Sequence, residues 1–510
     1  MANKLIGREK ECLELKRCFN SERSEFVIVY GRRRVGKTFL VDQYFSGQYD
    51  FSFVGGHKLS RQRQLRNFAK ALKKYSGSEK EYKFADWFEA FDVLEEYLES
   101  LPHERKKIVF IDEMPWIDTM KSDFVDALEN FWNSWAARRD DILFIASGSA
   151  TSWMVDKLIE NQGGLHARIT SSIYLRPFNL YETELYLLSK SCKWDRYQML
   201  QCYMILGGIP FYLSLLDVRS SLVQNIDRLF FQKNGVMQIE FEELYNALFA
   251  NADQYISVVK MLTEHRNGMT RKELSDALKL EGGKLTRVLN NLERCDFIAK
   301  NQFYGHKSKD CIYQLVDFYT LFYYKFIANN IAKDEQWWSH NFESRSIESW
   351  QGLSFELLCK LHGEQIKKAL GISGMSCGLS TWKAIANKET SIPGAQIDLI
   401  IDRSDRMVHL CEIKFSKGPY RITGDYEQKL RERMELFRDL TKTRKSLVHT
   451  FVTTYGVADG IHSSVVHSEV TMEALFEKNL KRINFAEKSN KKKPTHPRWV
   501  GWLLYNIKES

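Results

Sequence analysis

The chain has 510 residues, 44% of them hydrophobic, and a formal net charge of +9. Its length exceeds one ordinary core and its composition excludes a disordered polymer, so several ordered domains are expected. The apolar runs are short and broken by charges, which excludes a membrane-spanning helix, and the opening MANKLIGREKE has no apolar signal core. Nine cysteines without paired metal-type spacing fit reduced thiols in the cytoplasm rather than a disulfide framework or a zinc site. The positive balance favours anionic partners, although Lys and Arg are spread along the chain. The one concentrated run, KSNKKKPTHPR, reads as a solvated tail or as a contact to a phosphate backbone.

The first predicted elements lie in SEFVIVYGRRRVGKTFLVDQYF: a β-branched and aromatic strand, a glycine-bounded loop, then a helix. Gly31, Arg34, Val35, Gly36, Lys37 and Thr38 belong to the phosphate-loop spacing G-x-x-x-x-G-K-[ST], and Phe39 follows in the helix. Glycines let backbone N–H groups turn toward phosphates, and the helix N-terminus adds its positive end. Lys37 is expected on the β- and γ-phosphates of ATP and the Thr38 hydroxyl on Mg²⁺. Further along, KKIVFIDEMPWID is an apolar strand ending in acids. Asp112 is expected to hold the Mg²⁺ and Glu113 to polarise the attacking water. DILFIASGSATSWM is a second buried strand, whose Ser147, Gly148 and Ser149 tip is suited to sense the γ-phosphate.

Together with LIGREKE and LGGIPFYL, these patterns resemble prokaryotic P-loop ATPases of the archaeal ATPase type, relatives of AAA+ and STAND enzymes. The resemblance implies an adenine pocket lined by Ile6, Gly7 and Arg8, and a helical lid whose Pro210 touches the base and sugar. It also implies an arginine finger at Arg168, acting on a neighbouring subunit of a homo-oligomer. An exposed arginine without that role is the plainer reading, and Arg138 and Arg139 compete for the position.

Next in the chain, YISVVKMLTEHRNG, MTRKELSDALKL and EGGKLTRVLNNLERCDFIAK read as three short helices. Thr270 and Glu273 have capping-box spacing at the start of the second. The third has Leu285, Val288, Leu289 and Leu292 on one face, and an alternating hairpin with a basic tip follows. This is the pattern of a winged helix-turn-helix, which reads a DNA groove or serves as a protein-packing module. The aromatic run VDFYTLFYYKFI is expected to be core packing rather than a stacking platform.

The last unit starts with the amphipathic helix WQGLSFELLCKL, which carries Glu356, and continues through the strands AQIDLIIDR and MVHLCEIKF. Asp398, Glu412 and Lys414 lie in apolar strand sequence, where charges are costly unless something binds them. The order is similar to the PD-(D/E)XK nuclease core and implies metal on Asp398 and Glu412, aided by Glu356 or a backbone carbonyl, with Mg²⁺ or alternatively Mn²⁺ as the ion. Lys414 would orient the water or stabilise charge. The plainer reading pairs Lys414 with a carboxylate at a strand rim. The helix YEQKLRERMELFRDL, with Gln428, Lys429 and Arg433, is expected on the DNA backbone.

The expected fold is therefore α/β and multidomain. A P-loop AAA+/STAND-like ATPase core occupies 1–172 and a helical lid 173–238. A winged helix-turn-helix with a linker helix follows at 239–335, a PD-(D/E)XK nuclease-like domain at 336–476, and a basic tail at 477–510. The expected function couples ATP binding and hydrolysis to metal-dependent cleavage of nucleic acid, DNA foremost, with no membrane partner. The rival is a non-cleaving signalling or DNA-binding ATPase whose last domain is a recognition module.

Overall fold

The computed structural model describes residues 5–119, 122–160, 164–165, 168–249, 251–305, 311–328, 330, 334–384, 386 and 393–478. The basic run near the C-terminus and the tip of the hairpin after residue 305 lie outside them. Among the described residues no helix is long and apolar enough to cross a membrane.

A parallel sheet of five strands opens the chain: β1 (Glu25–Tyr30), β2 (Phe51–Val54), β3 (Lys107–Asp112), β4 (Ile142–Gly148) and β5 (Ser171–Tyr174). Their order is β2-β3-β4-β1-β5. β3 and β4 are buried at every position, and their Val, Ile, Leu and Phe content suits a sheet covered on both faces. Parallel pairing brings all carboxyl ends to one side, where ligands bind in open α/β sheets. It also inserts β4 between β1, which leads into the phosphate loop, and β3, which ends in Asp112. The helix after the loop is α1 (Lys37–Phe45).

Helices follow, among them α2 (Pro210–Ser214), which has its proline in the first turn, and α3 (Val236–Leu248). Next come α4 (Ala252–Glu264), a two-residue strand β6 (Met269–Thr270), α5 (Arg271–Leu278) and α6 (Gly282–Arg294). A hairpin of β7 (Ile298–Asn301) and β8 (Ile312–Leu315) then completes a small antiparallel sheet, β6-β8-β7. Thr270 and Glu273 form the reciprocal capping box at the start of α5. The aromatic run forms α7 (Phe318–Phe322) and a π-helical turn, Tyr323–Ile327, with Phe318, Tyr319, Phe322 and Phe326 buried. Phe322 and Phe326 meet Trp338 and Trp350 edge to face, so the run is core.

The last unit is α8 (Arg345–Leu361), then β9 (Cys377–Ala384), β10 (Ala395–Arg403), β11 (Met407–Lys414), α9 (Gly424–Thr441), β12 (Ser446–Thr453) and β13 (Ser468–Thr471). The sheet order is β13-β12-β11-β10-β9, with antiparallel pairing from β9 to β11 and parallel pairing from β11 to β13. β10 and β11 are interior strands, so Asp398, Glu412 and Lys414 lie at strand ends within the sheet and not on its edge strands.

Residues up to Glu477 pack as one unit. One apolar cluster runs from Val27 and Leu143 of the first sheet through Leu289 and Phe322 to Ile401 and Val452 of the last. β5 crosses the boundary expected at 172/173 and α3 crosses the one expected at 238/239. The units are thus joined by shared core rather than strung on linkers.

Candidate nucleotide site and a second carboxylate cluster

The phosphate loop is built on left-handed backbone. Gly31 has φ 147°, and a Cβ there would lie 2.3 Å from the Leu175 carbonyl oxygen, so only glycine fits. Arg34 has φ 73°, a conformation costing on the order of 1–3 kcal/mol for a non-glycine residue. Its guanidinium forks onto Glu240 of α3, at 2.7 and 2.6 Å, and lies 3.9 Å from the Phe211 ring centroid in α2. Those contacts hold the loop in its strained shape.

Lys37 is buried and donates to the carbonyls of Gly31 and Arg32, both at 3.1 Å, and to Ser149 Oγ at 3.0 Å. Burial pulls its pKa down, and Glu113 and Asp112 oppose that pull. Thr38 Oγ1 donates to Asp112 Oδ2 at 2.7 Å, and Ser147 Oγ donates to the other Asp112 oxygen. Glu113 has φ 47°, and Ser149 secures it through its N–H at 3.0 Å and its hydroxyl at 2.5 Å. Ser149 therefore connects the ammonium of Lys37 to the carboxylate of Glu113. The β4 tip, which sequence reading offered only as a sensor, thus positions both.

Arg8 is buried at φ 68°, with Nη2 donating to the Arg176 carbonyl at 2.8 Å and to that of Val35 at 3.4 Å. Its guanidinium sits 4.6 Å from the Phe178 ring centroid. It therefore ties the back of the loop to the segment after β5. Gly7 has φ 64°, and a Cβ would press on Glu182. Ile6 is half-buried, and Phe39 is 38% exposed on α1. Pro210 starts α2, whose next residue, Phe211, donates its N–H to the Arg34 carbonyl at 3.4 Å. Pro210 is thus brought beside the loop.

Arg168 is exposed, and its N–H donates to Leu165. Arg139 is committed elsewhere, to Asp141 at 2.8 Å and to the Trp135 ring. Arg138 is exposed.

Sequence reading also missed the partners of a second loop arginine. Arg32, 2% exposed, donates to Asp317 at 2.7 Å and lies 4.5 Å from the Phe297 ring centroid. Burial disfavours its charge, yet Asp317 and nearby tyrosines hold its pKa above the ordinary value. Asp317 is also the N-cap of α7. Three consecutive arginines in the variable positions of the loop were the available signal, but their partners lie over 200 residues away.

The second cluster sits where β10 begins and β11 ends. Leu399 pairs with Cys411, which one step further sets Asp398 across from Glu412. The β9–β10 register shifts between Ile397 and Ile400, so Asp398 lies in a bulge, a device that re-aims a side chain. Burial and then Glu412 push the Asp398 pKa up. Burial and then Asp398 push Glu356 of α8 up to about 7. Such mutual repulsion among desolvated carboxylates favours a cation.

Glu412, however, is fully engaged. It accepts from Tyr426 Oη at 2.7 Å and from Arg433 Nη1, and Lys414 Nζ lies 3.6 Å away. Arg433 therefore turns inward from α9 and is not free for a DNA backbone as expected. Gln428 likewise bonds to Glu432 within the helix. Among the described residues the one trio of ligand atoms within 4.8 Å is His103, Asp140 and Asp141. Asp141 there already accepts from Lys107 and Arg139. Glu356, Asp398 and Glu412 are neighbours without forming such a trio.

Residues 5–216 match the model of a family described as an ATPase domain predominantly from Archaea. An uncharacterised protein of Methanocaldococcus jannaschii is 22% identical over 452 residues, covering 86% of this chain and 92% of that protein. Among solved structures, the Walker-type ATPase of Pyrococcus abyssi is similar at 17% identity, over 64% of this chain and 97% of that one, with a TM-score of 0.47. The ORC2 protein of Aeropyrum pernix is similar at 14% identity, over 64% of this chain and 95% of that one, with a TM-score of 0.40. The matched domain model and the parallel sheet with its loop, Asp112 and Glu113 mark residues 5–216 as an α/β P-loop ATPase domain that uses ATP.

Proposed function

We propose that this ATPase couples its nucleotide state to metal-dependent cleavage of nucleic acid, DNA foremost, by the sheet that carries Asp398. In the first site Lys37 would hold the β- and γ-phosphates, and Glu113, fixed by Ser149, would take the proton of the attacking water. Thr38 and Asp112 offer hard oxygens 2.7 Å apart, a donor set that suits Mg²⁺. The ion supplies charge neutralisation on the phosphates when bound. Ile6, Gly7, Arg8 and Pro210 are assigned to the base and sugar side, and Arg168, exposed, to a neighbouring subunit's nucleotide.

The observation that carries the nuclease reading is the desolvated, mutually repelling pair Glu356 and Asp398, with Lys414 alongside. Those two carboxylates suit Mg²⁺ or Mn²⁺, and Glu412 would join them on leaving Arg433. Lys414, which flanks Glu412, would stabilise charge on the phosphate. We read α4 to β8 as a winged helix-turn-helix. Lys284 and Arg287 of α6 are exposed and available to a groove, whereas Arg294 is held by Asp156 and Glu160 of the ATPase half.

One observation favours the non-cleaving rival: Glu412 is ion-paired with Arg433, hydrogen-bonded by Tyr426, and among the described residues belongs to no ligand trio. A plasmid and oligonucleotide cleavage assay separates the two readings. Activity is expected with Mg²⁺, lost with EDTA and lost in Asp398→Ala, with ATP turnover retained. No cleavage under any metal and nucleotide condition would leave the recognition-module reading standing.

A further inference from the structure

A cleft between α4, the π-helical turn after α7, and α8 encloses a cavity of about 420 Å³. Lys260, Arg266 and Lys325 line it beside Tyr324, Ser349 and Trp350, and Glu264 is the one carboxylate in its walls. A smaller chamber shares Arg266, Leu321 and Leu353 with this cavity and adds Glu356 and Lys360. Lys260, Lys325 and Ser349 are exposed, so the cleft opens to solvent, and the smaller chamber, with room for about one water, leads from Arg266 toward Glu356.

The cations of the two chambers are not consumed by the protein. Among the described residues, Lys260, Arg266, Lys325 and Lys360 have no side-chain hydrogen bond and no ion pair within 4 Å. Arg266 is the most informative of them. It is half-buried where the two chambers meet; burial lowers its pKa, and Glu356 is the carboxylate that opposes this. A guanidinium carries five N–H donors in a planar fork that matches a phosphate in two places. The Arg266 fork has no acceptor within the protein among the described residues and faces the cleft, where a phosphate can supply one. Trp350, 2% exposed, likewise has an indole N–H with no partner among the described residues.

We propose that this cleft binds a single strand of nucleic acid, with Lys260, Arg266 and Lys325 on successive phosphates and Tyr324 against a base. Cations that track a backbone and an aromatic face that tolerates any base are the usual parts of a single-strand site. A duplex is far wider than the cavity. A free nucleotide shares the phosphate chemistry but engages fewer of the three cations than a strand, which can also run on toward Glu356. What happens at that end rests on the nuclease reading; the binding itself does not.

The test is fluorescence anisotropy of the full chain with a labelled oligodeoxynucleotide of about 12 nucleotides. It is run in EDTA so that cutting cannot interfere, over a series of salt concentrations. Lys260→Glu and Lys325→Glu change exposed side chains and leave folding intact. Each is expected to weaken binding about tenfold or more and to lower the salt slope by about 0.7 per lost phosphate contact. Arg266→Lys is expected to retain more affinity than Arg266→Ala. Unchanged affinity and slope in both charge reversals would overturn the proposal. So would AMP displacing the strand at equal concentration in a Lys37→Ala background. Loss of binding in the variants, with a wild type that never cuts, supports the strand site and counts against the nuclease reading instead.

Discussion

Glu113 is set by three facts: it directly follows β3, it adopts a left-handed backbone, and Ser149 grips both of its oxygens. Glu113→Gln keeps the size and much of the hydrogen bonding but cannot take a proton. ATP should still bind, and turnover should fall about 10²-fold or more, as for loss of a general base. Unchanged steady-state phosphate release would remove Glu113 from that role. Lys37→Ala is a different experiment, because it deletes the phosphate contact itself. Nucleotide binding measured by calorimetry or a fluorescent ATP analogue should then be lost.

The contacts between elements carry two further expectations. Arg32 joins the phosphate loop to the N-cap of α7 through a buried pair, and two of its nitrogens have no other partner among the described residues. Asp317→Asn would leave that guanidinium uncompensated, with a loss of about 3–5 kcal/mol in denaturant unfolding. ATP affinity should fall with it, because the loop loses one of its anchors. Stability and affinity both at wild-type levels would show that the pair does not couple these elements.

His362, at the end of α8, accepts the Leu180 N–H at 3.2 Å and donates to the Leu358 carbonyl at 2.9 Å. Burial lowers its pKa from 6.5 to about 4. Its folded value lies below the unfolded one, so its contribution to stability is full above pH 6.5. That contribution is lost as pH falls toward 4. His409 and His449 are depressed to about 4 in the same way. His362→Gln should therefore shrink, without abolishing, the drop in melting temperature between pH 7 and pH 4. An identical drop in the variant would refute the assignment.

At the scale of the molecule, Arg168 is exposed on the ATPase half, and the role proposed for it lies across a subunit boundary. Self-association should strengthen with ATP in the Glu113→Gln background, which holds the nucleotide, and weaken in Arg168→Ala. Sedimentation that gives a monomer in every nucleotide state would count decisively against this. The shared apolar core sets a second expectation, that residues 5–477 unfold in one calorimetric transition. Two resolved transitions would mean that the units behave as independent engines after all.

Much of the nucleotide site was legible in the chain, because its chemistry is local. A glycine loop, the lysine and threonine that follow it, and an apolar strand ending in Asp-Glu each declare themselves within a few residues. The capping box at Thr270 and the apolar runs of the last strands are local in the same sense. What could not be read there depends on segments far apart meeting at atomic distance. Arg32 finds Asp317 and Arg34 finds Glu240, while Arg433 reaches across from α9 to occupy Glu412. The cations of the cleft come from α4 and the loop after it, the turn after α7, and α8, which no sequence window contains. Composition and short-range pattern thus determined a P-loop ATPase with a second acidic cluster. Only packing decided which charges are satisfied within the protein and which are left for a ligand, because desolvation and pairing depend on distance in space and not along the chain.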